Sequence, residues 1–288
     1  MRIMKNSFVI FFFLFAILYS YEALSQYKMK IVSYNTLYAF QDSMNREQYQ
    51  KWIKEINPDI IAYEEMKGFT QDKLEKFASR YGHPYAVVSM EHGNPVALSS
   101  KYPIVNVQKV VDNMWVAYLY ANIKGTHLFV VHLSAFEYKK RTEELRLILA
   151  HAATLPQTDP ILIMGDFNAF SRKDADQYDQ RIIDEIKERQ ERKTSAGRLN
   201  LKDNSIDYSA MDLLPAAGYT DTYWLNNKHF QKTMPTEKYE GTRVERRIDF
   251  IWANDVAAKR IKKSGIIYDN DTDEMSDHYP VYIELDLK

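Results

Sequence analysis

The stretch Ile161-Leu162-Ile163-Met164-Gly165-Asp166-Phe167-Asn168, "ILIMGDFN", decides the fold. Four apolar residues run into a glycine, and an acid and an amide then follow two positions apart. A short continuous apolar run of this kind reads as a strand buried on both faces. Gly, Asp and Asn are turn residues, so the plain reading is a strand closed by a turn. A sharper one is that strand ends in α/β proteins are where chemistry is placed, with Asp166 and Asn168 presented there together.

Outward from this strand, apolar segments recur along the chain: "MKIVSYN", "DIIAYEE", "YAVVSM", "PVALSS", "WVAYLYANI", "HLFVVHLS", "RIDFIWAN" and "YPVYIELDL". Some alternate and some are continuous, which predicts both half-buried and fully buried strands. Helical periodicity fits "REQYQKWIKEI", "QDKLEKFASRY" and "KKRTEELRLILAHAA". Strand and helix alternate in the first half, but around 85–133 several strands follow with no helix between them. Mixed order of this kind predicts two sheets packed face to face with helices outside, not one wound sheet. No linker divides the chain, so a single domain is expected over 26–288. Residues 171–218 form a long insertion whose first part, "DADQYDQRIIDEIKERQERK", is charged and predicted helical. It is expected to be either a solvated helix or, because it begins just after Asn168, a lid over the site.

The N-terminus reads differently. Arg2 and Lys5 precede an apolar run from Phe8 to Leu18, and the small residues Ala23 and Ser25 follow. That is the pattern of a secretory signal, with cleavage expected after Ser25. The run is short against the roughly 20 residues that span a bilayer, and an uncleaved anchor is the alternative. The 288 residues contain no cysteine, which excludes disulfides, thiolate nucleophiles, Cys-ligated zinc and a lipidated N-terminal Cys. The expected product is an exported monomer, periplasmic or secreted, without a stable membrane anchor. Without Arg2, Lys5 and Glu22, the 38 basic and 39 acidic residues become 36 and 38. A nearly neutral chain lacks the overall field of an avid nucleic-acid binder.

Other strands end as ILIMGDFN does. "KIVSYN" delivers Asn35, "PDIIAYEE" delivers Glu64 and Glu65, and "LFVVHLS" delivers His132 and Ser134. "RIDF" sets Asp249 in an apolar strand, and "EMSDHYPVYIEL" sets Asp277 and His278 before the last one. Each alone has an ordinary explanation: a turn cap, an exposed loop start, a hydrogen-bonded core histidine, or an ion pair of Asp249 with Arg246 or Arg247. Together they are harder to dismiss, because an Asp inside a strand is costly unless paired, and His132 or His278 could pair with it. Carboxylates, amides and imidazoles without thiols make a ligand set for a hard divalent cation, Mg²⁺ or Mn²⁺. The surplus of Asn and His points to hydrogen bonds toward an anion that gains charge, as phosphoryl oxygens do.

In order, the blocks "SYNTLY", "PDIIAYEEMK", "GNPVALSSKYPI", "VVHLS", "MGDFNA", "RRIDFIW" and "SDHYPV" resemble the endonuclease/exonuclease/phosphatase superfamily over essentially the whole predicted mature chain. The arrangement looks like the secreted bacterial branch. The resemblance implies a DNase-I-like, four-layer α/β sandwich: two packed mixed β-sheets flanked by helices. It implies that Glu65, with Asn35 and Asp277, holds the metal. His132 then contacts the phosphate, Asp166 orients or deprotonates the attacking water, and Asn168 helps to hold that arrangement. Asp249 pairs with the final histidine, His278, and Asn94 is a further candidate for the phosphate site. Two positions depart from DNA-repair members: Leu37 stands where some carry an Asp, and Glu64 stands where many carry a Gln. The expected activity is metal-dependent hydrolysis of a phosphate ester, most simply a phosphodiester. The ester could belong to a small molecule, a lipid head group or a nucleic acid. A nuclease, or a phosphate-binding protein without turnover, is the alternative. The aromatic runs "YLYAN" and "DTYW" are read as core.

Overall fold

Two six-stranded mixed sheets carry the apolar strands in a computed structural model that describes residues 28–41, 43–192 and 198–287. The predicted signal segment lies outside these residues. The first sheet contains β1 (Lys28–Asn35), β2 (Ile60–Glu64), β3 (Tyr85–Val88), β4 (Ala97–Ser100), β13 (Ile261–Ile266) and β14 (Val281–Asp286). Their order is β13-β14-β1-β2-β4-β3. The second contains β5 (Val105–Val110), β6 (Tyr118–Ile123), β7 (Thr126–His132), β8 (Ile161–Asp166), β11 (Tyr219–Asp221) and β12 (Asp249–Asn254). Here the order is β11-β12-β8-β7-β6-β5.

Each sheet is antiparallel except for one parallel pair, β1 with β2 and β7 with β8. Side chains alternate along a strand, so one set from each sheet meets in the middle. Ile31, Ala62 and Leu98 from the first sheet join Leu128, Val130, Leu162, Met164 and Ile251 from the second in one buried cluster. The other set is covered by helices. α1 (Ser43–Ile56) and α2 (Gln71–Ser79) bury Trp52, Ile53, Leu74 and Phe77 with Tyr34, Ile61 and Tyr63 of the first sheet. α3 (Tyr138–Ala153) and a later helix, α5 (Ser209–Ala216), bury Leu145, Ile148, Met211 and Leu214 with Phe129, Ile163 and Trp252 of the second. The layers are therefore helix, sheet, sheet, helix. Tyr118, Tyr120 and Tyr223 are buried, as the core reading of "YLYAN" and "DTYW" has it.

Strands β5, β11 and β13, all edges, are absent from the periodicity reading, whereas the fourth edge, β3, lies within "YAVVSM". The residues of β5 are exposed or half-buried, and Lys262 and Lys263 of β13 face solvent, which weakens the apolar signal and also protects the edge.

The charged run after Asn168 is only partly α-helical. Arg172–Gln177 is a 3₁₀ turn, and α4 occupies Gln180–Glu191 after an Asp179 N-cap that accepts from the Arg181 N–H. Asp174 is drawn inside instead, 2.7 Å from the buried Arg247 guanidinium, which also pairs with Asp221 at 2.6 Å. A short hairpin, β9 (Leu201–Lys202) and β10 (Ser205–Ile206), follows. Ile182 and Ile186 of α4 pack with Phe170, Leu201 and Ile248 in a separate small core, so this segment is docked on the body of the domain. Among the described residues no helix is long and apolar enough to cross a membrane.

Candidate active site at the seam of the two sheets

The topology brings the polar strand ends to one edge of the sandwich. Register places Asn35 beside Glu64 on the first sheet, and His132 and Asp249 on either side of Asp166 on the second. Parallel pairs end together, and β12 and β14 start where β8 and β1 finish, so six chain segments deliver side chains to one cleft. Ser276 ties the "SDH" block to this edge by donating through Oγ to the Asn35 carbonyl at 2.7 Å, and it accepts from the His278 N–H at 3.2 Å.

Contacts across the seam follow. The Asn35 amide donates to Asp166 Oδ2 at 3.0 Å. His278 Nδ1 lies 2.9 and 3.0 Å from the two Asp249 oxygens, and its Nε2 is 4.0 Å from Asp166 Oδ2. His132 Nε2 is 3.5 Å from Asp166 Oδ2 and 3.9 Å from Glu65 Oε1. The Asn168 N–H donates to Asp166 Oδ1 at 2.8 Å, while its side chain donates to the Leu133 carbonyl at 3.1 Å. Asp166 is thus gripped by an amide from one sheet and a backbone N–H from the other. The Asp249–Arg246 and Asp249–Arg247 ion pairs that the sequence leaves open are not formed: Arg246 goes to Glu185 and Arg247 to Asp174 and Asp221.

Backbone conformation aims several of these groups. Asn168 (φ +48°) and Glu65 (φ +61°) are in the left-handed region, where a non-glycine residue is uncommon. The turn at Glu65 separates two neighbouring acids. Glu64 points into the sheet interface, where the Ser33 hydroxyl donates to it at 3.1 Å, whereas Glu65 faces the cleft and accepts from the Tyr38 N–H at 3.3 Å. Residues Leu37 to Gln41, with φ between +42° and +61°, form a left-handed turn that brings Tyr38 there. Gly165 is needed for close approach: a Cβ at its φ of +139° would sit 1.9 Å from the Val131 carbonyl oxygen.

Burial and mutual charge set the protonation of the site. Asp166 is pushed up to about 8 by burial and by Asp249 beside it. Burial alone would lower His278, but Asp249, Asp277 and Asp166 override it and hold the ring protonated well past its ordinary range. His132 is driven down to about 3 by burial and by the charge on His278, so it is neutral. Its Nδ1 is buried without a hydrogen-bond partner, and Trp115 meets the ring edge-on at 5.1 Å. Glu64 is raised well above the carboxylate range by burial, with Asp249 and Asp166 adding to it.

Two groups of residues could hold a cation. Asp166, Asp249 and His278 offer ligand atoms within 4.8 Å of one another. His278 is already clasped by Asp249, however, and a protonated ring is no ligand. Glu65 and Asp277 fit better: both face the cleft, the charge of Asp277 adds to the upward shift that burial gives Glu65, and Asp277 Oδ1 is buried with no hydrogen-bond partner. An acid pair with an unsatisfied oxygen suits a hard divalent ion.

The cleft is a cavity of about 300 Å³ lined by every candidate residue except the supporting Asn35 and Asp249, and Asn94 lies on its wall. It also contains side chains to which the sequence reading gave no place in the site: Trp115, Phe136, Arg141, and the arginines 189, 198, 243 and 246. The dense mixed charge of "RIIDEIKERQERK" was the available signal for Arg189, but nothing local shows that α4 turns it inward.

The family model described as "Endonuclease/Exonuclease/phosphatase family" matches residues 32–278. No curated protein matches the chain. Among solved structures it is similar to the 3′ phosphatase NExo from Neisseria bound to a product DNA hairpin, at 18% identity and a TM-score of 0.68, covering 90% of this chain and 99% of that one. It is also similar to an AP endonuclease from Archaeoglobus fulgidus, at 19% identity and a TM-score of 0.63, covering 88% and 98%. For humanized D. rerio TDP2 the identity is 16%, the TM-score 0.61 and the coverage 90% and 99%. These likenesses share the layered architecture of two mixed sheets flanked by helices.

Proposed function

Because the chain belongs to the endonuclease/exonuclease/phosphatase family, we propose that it hydrolyses phosphate esters, with phosphodiesters preferred, by in-line attack of water directed by Asp166. The observation that carries this is the grip on Asp166: an amide, a backbone N–H and two imidazoles converge on one buried acid at the mouth of a polar cavity. An acid raised to about 8 is, once ionised, a stronger base toward water than an ordinary carboxylate, and a cation beside it would favour the ionised form.

Asn35 and Asn168 fix the Asp166 carboxylate so that one oxygen meets the water. Asp166 accepts the proton as the new P–O bond forms and the bond to the ester oxygen breaks, and the departing alkoxide takes its proton from solvent. His278, held protonated by Asp249, faces the negative charge that grows on the oxygens of the phosphoryl group, and neutral His132 donates a hydrogen bond to one of them. Asn94 contacts the same phosphate. A divalent cation, Mg²⁺ or Mn²⁺, held by Asn35, Glu65 and Asp277 would supply Lewis-acid polarisation of a phosphoryl oxygen. A phosphate-binding protein without turnover is the rival, and a complete set of acid, base and amide groups argues against it.

Hydrolysis of bis-p-nitrophenyl phosphate and p-nitrophenyl phosphate, measured with Mg²⁺, Mn²⁺ or EDTA, tests the proposal. The expected result is metal-dependent turnover that favours the diester and falls by about 10²–10⁴ in Asp166→Ala. Full activity in a folded Asp166→Ala protein would refute the assignment.

A further inference from the structure

The cavity is lined by groups of both charges: Glu65, Asp166 and Asp277, and Arg189 of α4, Arg198, and Arg243 and Arg246 of the approach to β12. Arg189 feels Arg243, Arg198 and Arg246, so the arginines form one cluster. Tyr38 lies in the field of Glu65 and Asp277 and also in that of Arg198.

Among the described residues a single carboxylate serves three of these four guanidinium groups, and none pairs with Arg198. Glu185 is 3.7 Å from Arg189 Nη1 and 3.9 Å from Arg243 Nε, and it makes its tightest contact with Arg246 Nη2. A structural ion pair explains the buried Arg246, whose Nε also donates to the Val244 carbonyl at 2.8 Å. It does not explain why three more arginines converge there. Arg198 lies over the Phe136 ring at 5.1 Å, and its Nε is buried with no hydrogen-bond partner. Arg189 is pushed down to about 10 by burial and then by the crowding of Arg243 and Arg198. Arginines assembled with a surplus of charge and unspent donors suit a bidentate oxyanion.

We propose that Arg189, Arg198, Arg243 and Arg246 form a second anion subsite that holds a phosphoryl group other than the one being hydrolysed. The substrate class is then a small phosphate ester carrying a second phosphate. A cavity of about 300 Å³ with an aromatic wall at Trp115 and Phe136 suits a small molecule with its two phosphates at opposite ends, whereas a duplex presents its phosphates along an open face. The proposal rests on the phosphohydrolase reading and narrows it.

Calorimetry with Mg²⁺ in excess compares two non-hydrolysable ligands, propylphosphonate and propane-1,3-bisphosphonate, on wild type, on Arg189→Gln/Arg243→Gln and on Arg189→Lys/Arg243→Lys. Both residues are partly exposed, so neither variant should disturb folding. The bisphosphonate is expected to bind wild type at least about tenfold more tightly than the monophosphonate. The ratio should shrink to less than about threefold in the Gln pair and largely survive in the Lys pair. A ratio near one in wild type, or a ratio untouched by the Gln pair, would overturn the subsite. A single-stranded oligonucleotide that binds more tightly than the bisphosphonate and loses that advantage in the Gln pair would overturn the small-molecule assignment. Turnover of bis-p-nitrophenyl phosphate in the same preparation separates the two failures. Its absence refutes the hydrolase reading, while its presence without a bisphosphonate preference refutes only the subsite.

Discussion

Replacing Asp249 by Asn probes the tightest ion pair that joins the two sheets. His278 and Asp249 are both nearly inaccessible, at 4% and 3% exposure, and their nitrogen and oxygens are 2.9 and 3.0 Å apart. Asparagine keeps the shape and one acceptor but removes the negative charge. A buried hydrogen bond to a charged group contributes about 1.5–3 kcal/mol. If the protonated ring matters only as charge develops on the phosphoryl group, kcat falls by roughly 10- to 150-fold while KM changes little. The pH dependence gives a second readout. Burial lowers His278, and Asp249 is the largest of the charges that outweigh it and hold the folded-state value well above 6.5. The stabilisation from this pair is therefore complete below about pH 6.5, where the unfolded ring is also protonated, and is lost as pH rises through the raised folded value. In Asp249→Asn the alkaline limb of the kcat profile should move to lower pH, and urea unfolding should lose that part of its pH dependence. The assays are kcat against pH on bis-p-nitrophenyl phosphate, and urea denaturation at several pH values. A variant with kcat within twofold of wild type and an unmoved alkaline limb would refute the role of the pair.

Two further outcomes follow from the geometry. In metal-free protein the Asp166 carboxyl, raised to about 8 by burial and then by Asp249, should titrate in the neutral-to-alkaline range by carboxyl-selective NMR. Added Mg²⁺ should pull it downward, because a cation at Glu65 and Asp277 favours the charged form; a titration unmoved by Mg²⁺ would argue against that site. Gly165→Ala puts a methyl 1.9 Å from the Val131 carbonyl and must push β7 and β8 apart. Overpacking of this kind costs about 1–3 kcal/mol or more, so thermal unfolding should move down by several degrees. Activity should fall with it, since Asp166 is the next residue; a Tm within a degree of that of the parent protein would show that the strands accommodate the methyl freely.

The long apolar strands and their polar ends were legible in the sequence because burial on both faces leaves no other reason for an amide or acid there. Asp166, His132 and Asp249 stand beside one another because register puts them there, and register follows from those same apolar runs. The edge strands β5 and β13 were not legible, since they carry the polar residues of an exposed margin. Nor was the different fate of Glu64 and Glu65, which depends on a left-handed turn at Glu65 that no residue type announces. The arginine wall was hidden for a related reason. Charge in "RIIDEIKERQERK" is visible in the sequence, but which of its faces turns inward is decided by Ile182 and Ile186 docking on Phe170 and Ile248.

The cleft draws Asn35, Glu65 and His278 from one sheet and His132, Asp166 and Asp249 from the other, so its geometry works as a calliper on the gap between them. A slip of a few tenths of an ångström between the sheets would leave each one intact and its hydrogen-bonded ladders unbroken. It would nevertheless misalign all the contacts that cross the seam. Trimming a residue of the shared interior, such as Met164 or Leu98, is therefore expected to silence the enzyme at temperatures where circular dichroism still reports a fully folded protein. Loss of function on warming would then mark loosening of the sandwich, well ahead of its melting.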